Sequence, residues 1–156
     1  MSALIEAALI RLAGEGDTYR FAGVEVSVKV RKADSLQQWS LMEYTAPARF
    51  SGPGLHYHKI MEEGFYLLEG TLTFTIDGEE LELGAGSFLK VPPLAVHAFR
   101  NDSDAPARFL VFMAPGGFED YYPDLLRLME QEEQWPPRDL GRLHRLLEKH
   151  DTFSHT

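Results

Sequence analysis

Between Glu63 and Met113 the chain breaks into six short runs, Glu63 to Leu68, Thr71 to Ile76, Glu79 to Leu83, Ser87 to Val91, His97 to Asn101 and Ala107 to Met113. Turn residues stand between them, and this rhythm constrains the fold more than any other feature. Runs of this length, closely spaced and punctuated by glycine and proline, predict a sandwich or barrel. The punctuation is chemically specific. Asp77-Gly78 is the pair favoured in a two-residue hairpin turn, whose central residues both need positive φ. Gly70, Gly84 and Gly86 mark further turns, and Pro92-Pro93 cannot continue a hydrogen-bonded ladder. Within Thr71 to Ile76, Leu72, Phe74 and Ile76 oppose Thr71, Thr73 and Thr75, so one face is apolar and the other polar.

Upstream, Tyr19 to Arg31 alternates, with Val24, Val26, Val28 and Val30 on one parity, and reads as a half-buried strand. Trp39 to Thr45 reads as another strand. Ala3 to Leu12, rich in Ala, Leu and Ile and stopped by Gly14 and Gly16, predicts an N-terminal helix. Downstream the period changes. Phe118 to Glu130 places Tyr121, Tyr122, Leu125, Leu126 and Met129 at helical spacing, and Arg138 to Lys149 does the same with Leu140, Leu143, Leu146 and Leu147. The whole chain, residues 1–156, is expected to form one domain, with a β core over about 19–115 and C-terminal helices over about 117–150.

The formal net charge of −9 disfavours nucleic acid and anionic membranes as partners. No run approaches the roughly 20 apolar residues needed to span a bilayer, so a cytoplasmic protein is expected. There is no cysteine, which excludes disulfides, thiol nucleophiles and thiolate metal sites. A metal would therefore sit on nitrogen and oxygen.

His56 and His58 lie two apart and would project from one face of a strand, with Tyr57 pointing away. Glu63 heads one later strand and His97 another, so separate segments could bring three imidazoles and a carboxylate to one point. Such a set suits Fe, Mn, Ni, Co, Cu or Zn. Each residue alone has a plainer role: a hydrogen-bonded His pair, a solvated edge charge, a loop cap. The other histidines, His144, His150 and His155, have no partner at helical spacing and read as exposed and structural.

The stretch His56-x-His58-x4-Glu63-x6-Gly70, followed by Gly86-x5-Pro92-x4-His97-x3-Asn101, resembles the two signature motifs of the cupin superfamily. Two positions depart from the pattern. Phe50 and Leu94 stand where the family has glycine, with Gly52 and Gly54 as substitutes for the first, while Leu94 implies a loop that avoids positive φ there. The resemblance covers roughly Gln37 to Gly116. With the phrases Phe65-Tyr66-Leu67-Leu68-Glu69-Gly70 and Pro115-Gly116-Gly117-Phe118-Glu119, it points to single-domain cupins of the quercetin-dioxygenase-like group.

The resemblance implies a small antiparallel β-barrel of jelly-roll type, and one divalent transition metal held by His56, His58, Glu63 and His97. The six-residue interval to Gly70 selects Glu63 over its neighbour Glu62, since adjacent strand residues face opposite sides. It further implies an oxidoreductase acting on a flavonol or related enol, with Glu63 or a metal-bound hydroxide as base and Phe65, Leu67, Leu72, Phe74 and Phe99 as apolar walls. The alternatives are a cupin that holds a metal or small ligand without turnover and, behind it, a sugar isomerase or epimerase. A homodimer is expected, because the valine stripe of the N-terminal strand needs a covering sheet and cupins of this type lend such strands across a two-fold axis.

Overall fold

The computed structural model describes residues 8–156, which form eleven strands and two α-helices. In chain order the strands are β1 (Asp17–Phe21), β2 (Val24–Val30), β3 (Ser40–Ala46), β4 (His56–Tyr57), β5 (Glu62–Glu69), β6 (Thr71–Ile76), β7 (Glu79–Gly84), β8 (Phe88–Val91), β9 (His97–Arg100), β10 (Ala107–Ala114) and β11 (Phe153–Ser154). The helices are α1 (Tyr121–Gln131) and α2 (Leu140–Lys149). The strands form two antiparallel sheets, ordered β1-β2-β3-β10-β5-β8 and β11-β4-β9-β6-β7. Hydrogen bonding does not close them into one barrel, so the expected closed barrel becomes two sheets around a shared core.

That core is aromatic. Phe65, Phe74 and Phe109 are fully buried, and Tyr44 stacks on Phe109 with ring centroids 5.0 Å apart while meeting Phe99 edge-on at 5.6 Å. Edge-to-face and offset pairs of this kind contribute beyond the area they bury. The even-numbered valines Val24, Val26 and Val28 also belong to this core. The stripe from which a homodimer was expected is thus covered within the chain itself.

Two local expectations are corrected. The run from Tyr19 to Arg31 is a hairpin rather than a single strand: Ala22 and Gly23, at φ 46° and 82°, turn β1 back onto β2. Of the expected N-terminal helix, Ala8 to Leu12 form none, and residues 1–7 lie outside the described residues. The Asp77-Gly78 turn adopts the expected positive φ at both positions, 47° and 86°. Among the described residues no helix is long and apolar enough to cross a membrane.

The two helices dock through Asp124. Its Oδ2 accepts hydrogen bonds from Lys149 Nζ and His150 Nε2, each at 2.9 Å, and Arg127 pairs with its Oδ1. His150 is accordingly not the exposed residue expected, since its side chain is only 9% accessible; His144 and His155 are exposed. Burial favours the neutral acid, but the bonds from Lys149, His150 and Arg127 outweigh it and hold the Asp124 carboxyl at about 2, below its ordinary 3.8. A folded-state pKa depressed in this way contributes stability above the unfolded value, which is lost as the pH falls from about 4 toward 2. Urea midpoints measured between pH 5 and 2.5 should therefore fall more steeply for the native chain than for Asp124→Asn. Parallel acid profiles would show that the pairing adds nothing to stability.

Candidate metal centre

His56 lies on β4, His97 at the head of β9 and Glu63 near the start of β5, while His58 follows β4 directly. The β4–β9 pairing places His56 opposite His97, which is why residues forty-one apart in sequence meet. Glu63 reaches them from the other sheet, where it pairs with Met113 of β10 and Val91 of β8. The imidazole centroids are 4.3 Å (His56 to His97), 5.1 Å (His56 to His58) and 5.2 Å (His58 to His97) apart. One potential ligand atom from each of His56, His58, Glu63 and His97 lies within 4.8 Å of the others.

The tautomers follow from the hydrogen bonds. A carbonyl oxygen can only accept, so each imidazole with Nδ1 against a carbonyl carries its proton there. His56 Nδ1 donates to Gly54 O at 2.8 Å, His97 Nδ1 to Ala95 O at 2.9 Å, and His58 Nδ1 to Asp151 O at 2.8 Å. All three rings thereby present Nε2 to the shared space, the arrangement by which outer partners orient metal-binding histidines. Nε2 of His58 and of His97 is buried without a hydrogen-bond partner among the described residues. Leaving a buried polar atom unpaired costs about 1–3 kcal/mol, which applies to His97 Nε2; with His58 Nε2 facing the Glu63 carboxylate, these atoms aimed at one point fit a divalent cation with nitrogen and oxygen ligands.

The electrostatics divide the three imidazoles. Burial, and then the nearby His97, lower His56 to about 4, so its lone pair is free at neutral pH. Burial likewise lowers His97. For His58 burial acts downward, but the close Glu63 carboxylate prevails and raises it; for Glu63 burial acts upward, and the three imidazoles prevail and lower it. Glu63 Oε1 is in ion-pair contact with His58 Nε2, and Oε2 lies 4.0 Å from His97 Nε2. Glu62 faces the other way and pairs with Lys90 at 3.5 Å.

The loops around these residues are shaped by local backbone demands. Gly52 sits at φ 76°, and a Cβ there would run into the carbonyl of Phe99. It serves as the turn glycine that Phe50 does not supply. Leu94, expected to avoid positive φ, instead sits at 73°, with its N–H bonded to His58 O at 2.7 Å. That tie between the two histidine-bearing loops offsets the cost of a left-handed leucine. Asn101 is buried and holds its own turn, donating to Pro47 O and Ala105 O and accepting from Ser103 N. Of the apolar walls named from sequence, Phe65, Leu67, Leu72 and Phe74 are buried core, and Phe99 is half-buried among them.

Three residues near the cluster were not legible in the sequence. Asp151 supplies the carbonyl for His58, Thr152 Oγ1 lies 3.3 Å from His58 Nδ1, and Phe118 sets its ring edge-on at 6.2 Å from that imidazole. Nothing in their spacing relates them to His58.

Residues 42–113, which include all four clustered residues, match the family model for a cupin domain. Over 70 residues the chain is 41% identical to a quercetin 2,3-dioxygenase of Bacillus subtilis, covering 45% of this chain and 20% of that protein. Over 60 residues it is 40% identical to the polyketide synthase CurC of Streptomyces cyaneus, covering 38% of this chain and 39% of the other. The chain therefore matches only a minor part of either relative's length. In three dimensions it is similar to a Thermotoga maritima protein described as a predicted oxalate decarboxylase, with a TM-score of 0.61 and 21% identity over 68% of this chain and 98% of that one. At that identity the likeness speaks for the fold alone.

Proposed function

Because the chain carries a cupin domain over residues 42–113, we propose that it is a metal-dependent dioxygenase of a small enol or flavonol-type substrate, with His56, His58, Glu63 and His97 as the metal ligands. The observation that carries this reading is the fixed tautomer of all three histidines. Three backbone acceptors turn every Nε2 toward the Glu63 carboxylate, and two of those nitrogens are buried with no other partner. The 41% identity over 70 residues with a quercetin 2,3-dioxygenase supports oxygen chemistry over isomerisation. When bound, a divalent transition metal would supply Lewis acidity and a redox centre for an oxygen-bearing substrate.

The remaining roles belong to the chain. Glu63, whose carboxyl the three imidazoles hold below its ordinary value against the opposing effect of burial, stands ionised and takes the proton from the substrate enol hydroxyl onto a carboxylate oxygen. Both atoms of dioxygen enter the product, so the reaction needs no external reductant.

Oxygen uptake with a panel of flavonols and 1,2- and 1,3-diketones tests the reading, using protein reconstituted in turn with Fe, Mn, Ni, Co, Cu and Zn. The expected result is uptake equal to substrate consumed with at least one metal, and a fall of about 100-fold or more in Glu63→Gln. Metal binding without uptake for any pair would overturn the dioxygenase and leave a metal- or ligand-holding cupin.

A further inference from the structure

The outer partner of His58 differs from those of the other two histidines. His56 and His97 bond to carbonyls two residues before themselves, Gly54 and Ala95, so their orientation is local. His58 bonds to a carbonyl ninety-three residues away, on the segment that follows α2. That segment contacts the cluster at several further points. The carboxylate of Asp151 accepts three successive backbone N–H groups: Lys59 at 2.9 Å through Oδ1, and Ile60 at 3.0 Å and Met61 at 2.9 Å through Oδ2. A run of consecutive N–H groups is a natural cradle for an anion. Here it is filled by a side chain, and it spans the connection between His58 and Glu63.

Little else holds that connection, since Lys59 and Ile60 are exposed and only Met61 reaches the core. Asp151 itself sits at φ 54°, a conformation that Asp tolerates better than most residues. It is held there as the chain leaves α2: Asp151 N–H bonds to Glu148 O at 3.2 Å and Thr152 N–H to Leu147 O at 3.0 Å. Beyond it β11 adds to β4, pairing Ser154 with His56 and Phe153 with Tyr57, whose rings stack at 5.6 Å. His155 N–H closes the strap on Leu55 O at 2.9 Å.

We propose that Asp151 is a positioning residue of the metal centre, whose carbonyl orients His58 and whose carboxylate locks the loop joining His58 to Glu63. The segment from Asp151 to His155 thereby becomes part of the site, although it lies outside the region that matches the cupin model. The inference rests on the reading that the four clustered residues bind a metal, and it assigns the preorganisation of that site to the far end of the fold.

The test uses Co2+ as the probe, titrated by calorimetry and by its visible absorption, on the full chain and on Asp151→Ala and Asp151→Asn. Asp151→Ala keeps the backbone carbonyl behind His58 but removes the carboxylate that holds the loop and places alanine at φ 54°, so a fall in Co2+ affinity of about 10–100-fold, the usual cost of disturbing an outer partner, is expected with a changed Co2+ spectrum. Asp151→Asn keeps one acceptor oxygen and the tolerance for positive φ, so its affinity should lie between the two. In the metal-free protein, the amides of Lys59, Ile60 and Met61 should exchange faster in both variants, while amides of β6 and β10 keep their protection. If Asp151→Ala does not fold, Asp151→Asn must show both effects. Unchanged Co2+ affinity and unchanged exchange, with the native chain binding, would overturn this inference alone. Failure of the native chain to bind Co2+ would overturn the metal reading and take this inference with it.

Discussion

Substituting His56→Ala together with His58→Ala is expected to lower the metal content of the purified protein from about one equivalent per chain to near zero, because two of the three imidazoles proposed as ligands are removed at once. The expected loss is large because the donors are few. No cysteine is present, Glu62 is turned outward onto Lys90, and His144 and His155 are exposed. His150 is engaged with Asp124 on the helices. None of these can replace the missing nitrogens. The buried Nε2 atoms that now lack partners would be reduced to that of His97, facing a carboxylate and no other imidazole. Elemental analysis of protein purified without added metal is the direct measurement, with His144→Ala as the control that should keep its metal. Equal content in the double variant and the native chain would refute the assignment of these residues as ligands. A far-ultraviolet spectrum of each protein separates a lost ligand from a lost fold.

The second large effect concerns the core that holds the two sheets together. Phe109→Ala should destabilise the chain by about 3–5 kcal/mol, the usual cost of removing a fully buried phenyl ring and leaving a cavity. Phe109 is 0% exposed, on β10, the strand that bridges β3 and β5 at the centre of the six-stranded sheet. Its ring contacts Tyr44 at 5.0 Å, Phe99 at 5.5 Å and Phe65 at 6.2 Å. These neighbours come from β3, β9 and β5 and cannot collapse into the gap together without breaking register. A fall in melting temperature on the order of 10 °C follows for a chain of this size. Phe109→Leu, which retains most of the volume, should cost much less. A loss below about 1 kcal/mol for the alanine variant would mean that the core relaxes to fill the space.

Much of this architecture is readable from local rules. The strand-and-turn rhythm, the Asp77-Gly78 hairpin and the change of period after Pro115 each depend on residues close in sequence, and each appears where expected. The hairpin between β1 and β2 left its trace in a change of parity at Ala22-Gly23, from Tyr19 and Phe21 on odd positions to Val24, Val26 and Val28 on even ones, which the reading of one continuous strand passed over. Leu94 shows the opposite failure. Its residue type argues against positive φ, yet the bond from its N–H to His58 O settles the conformation from outside. His150 was read as exposed because its partner, Asp124, lies on the other helix and at no helical spacing from it.

The candidate site divides in the same way. That His56, His58, Glu63 and His97 are candidates for one cluster can be derived from spacing, since strand parity sets which side chains share a face and glycines and prolines set where strands begin. Which nitrogen each imidazole presents cannot, because a tautomer depends on the acceptor behind the ring, and for His58 that acceptor is Asp151. Whether the sheets close is likewise a property of long-range pairing: β11 joins β4 across almost a hundred residues, and β1 remains an edge. The sequence by itself determined most strands and turns, consequences of short-range sterics and alternation, and its resemblance to the cupin motifs singled out the four candidate donors. The aim of those donors, and the strap that holds one of them, were decided only by tertiary contacts, because hydrogen bonds between distant segments leave no periodic trace in the chain.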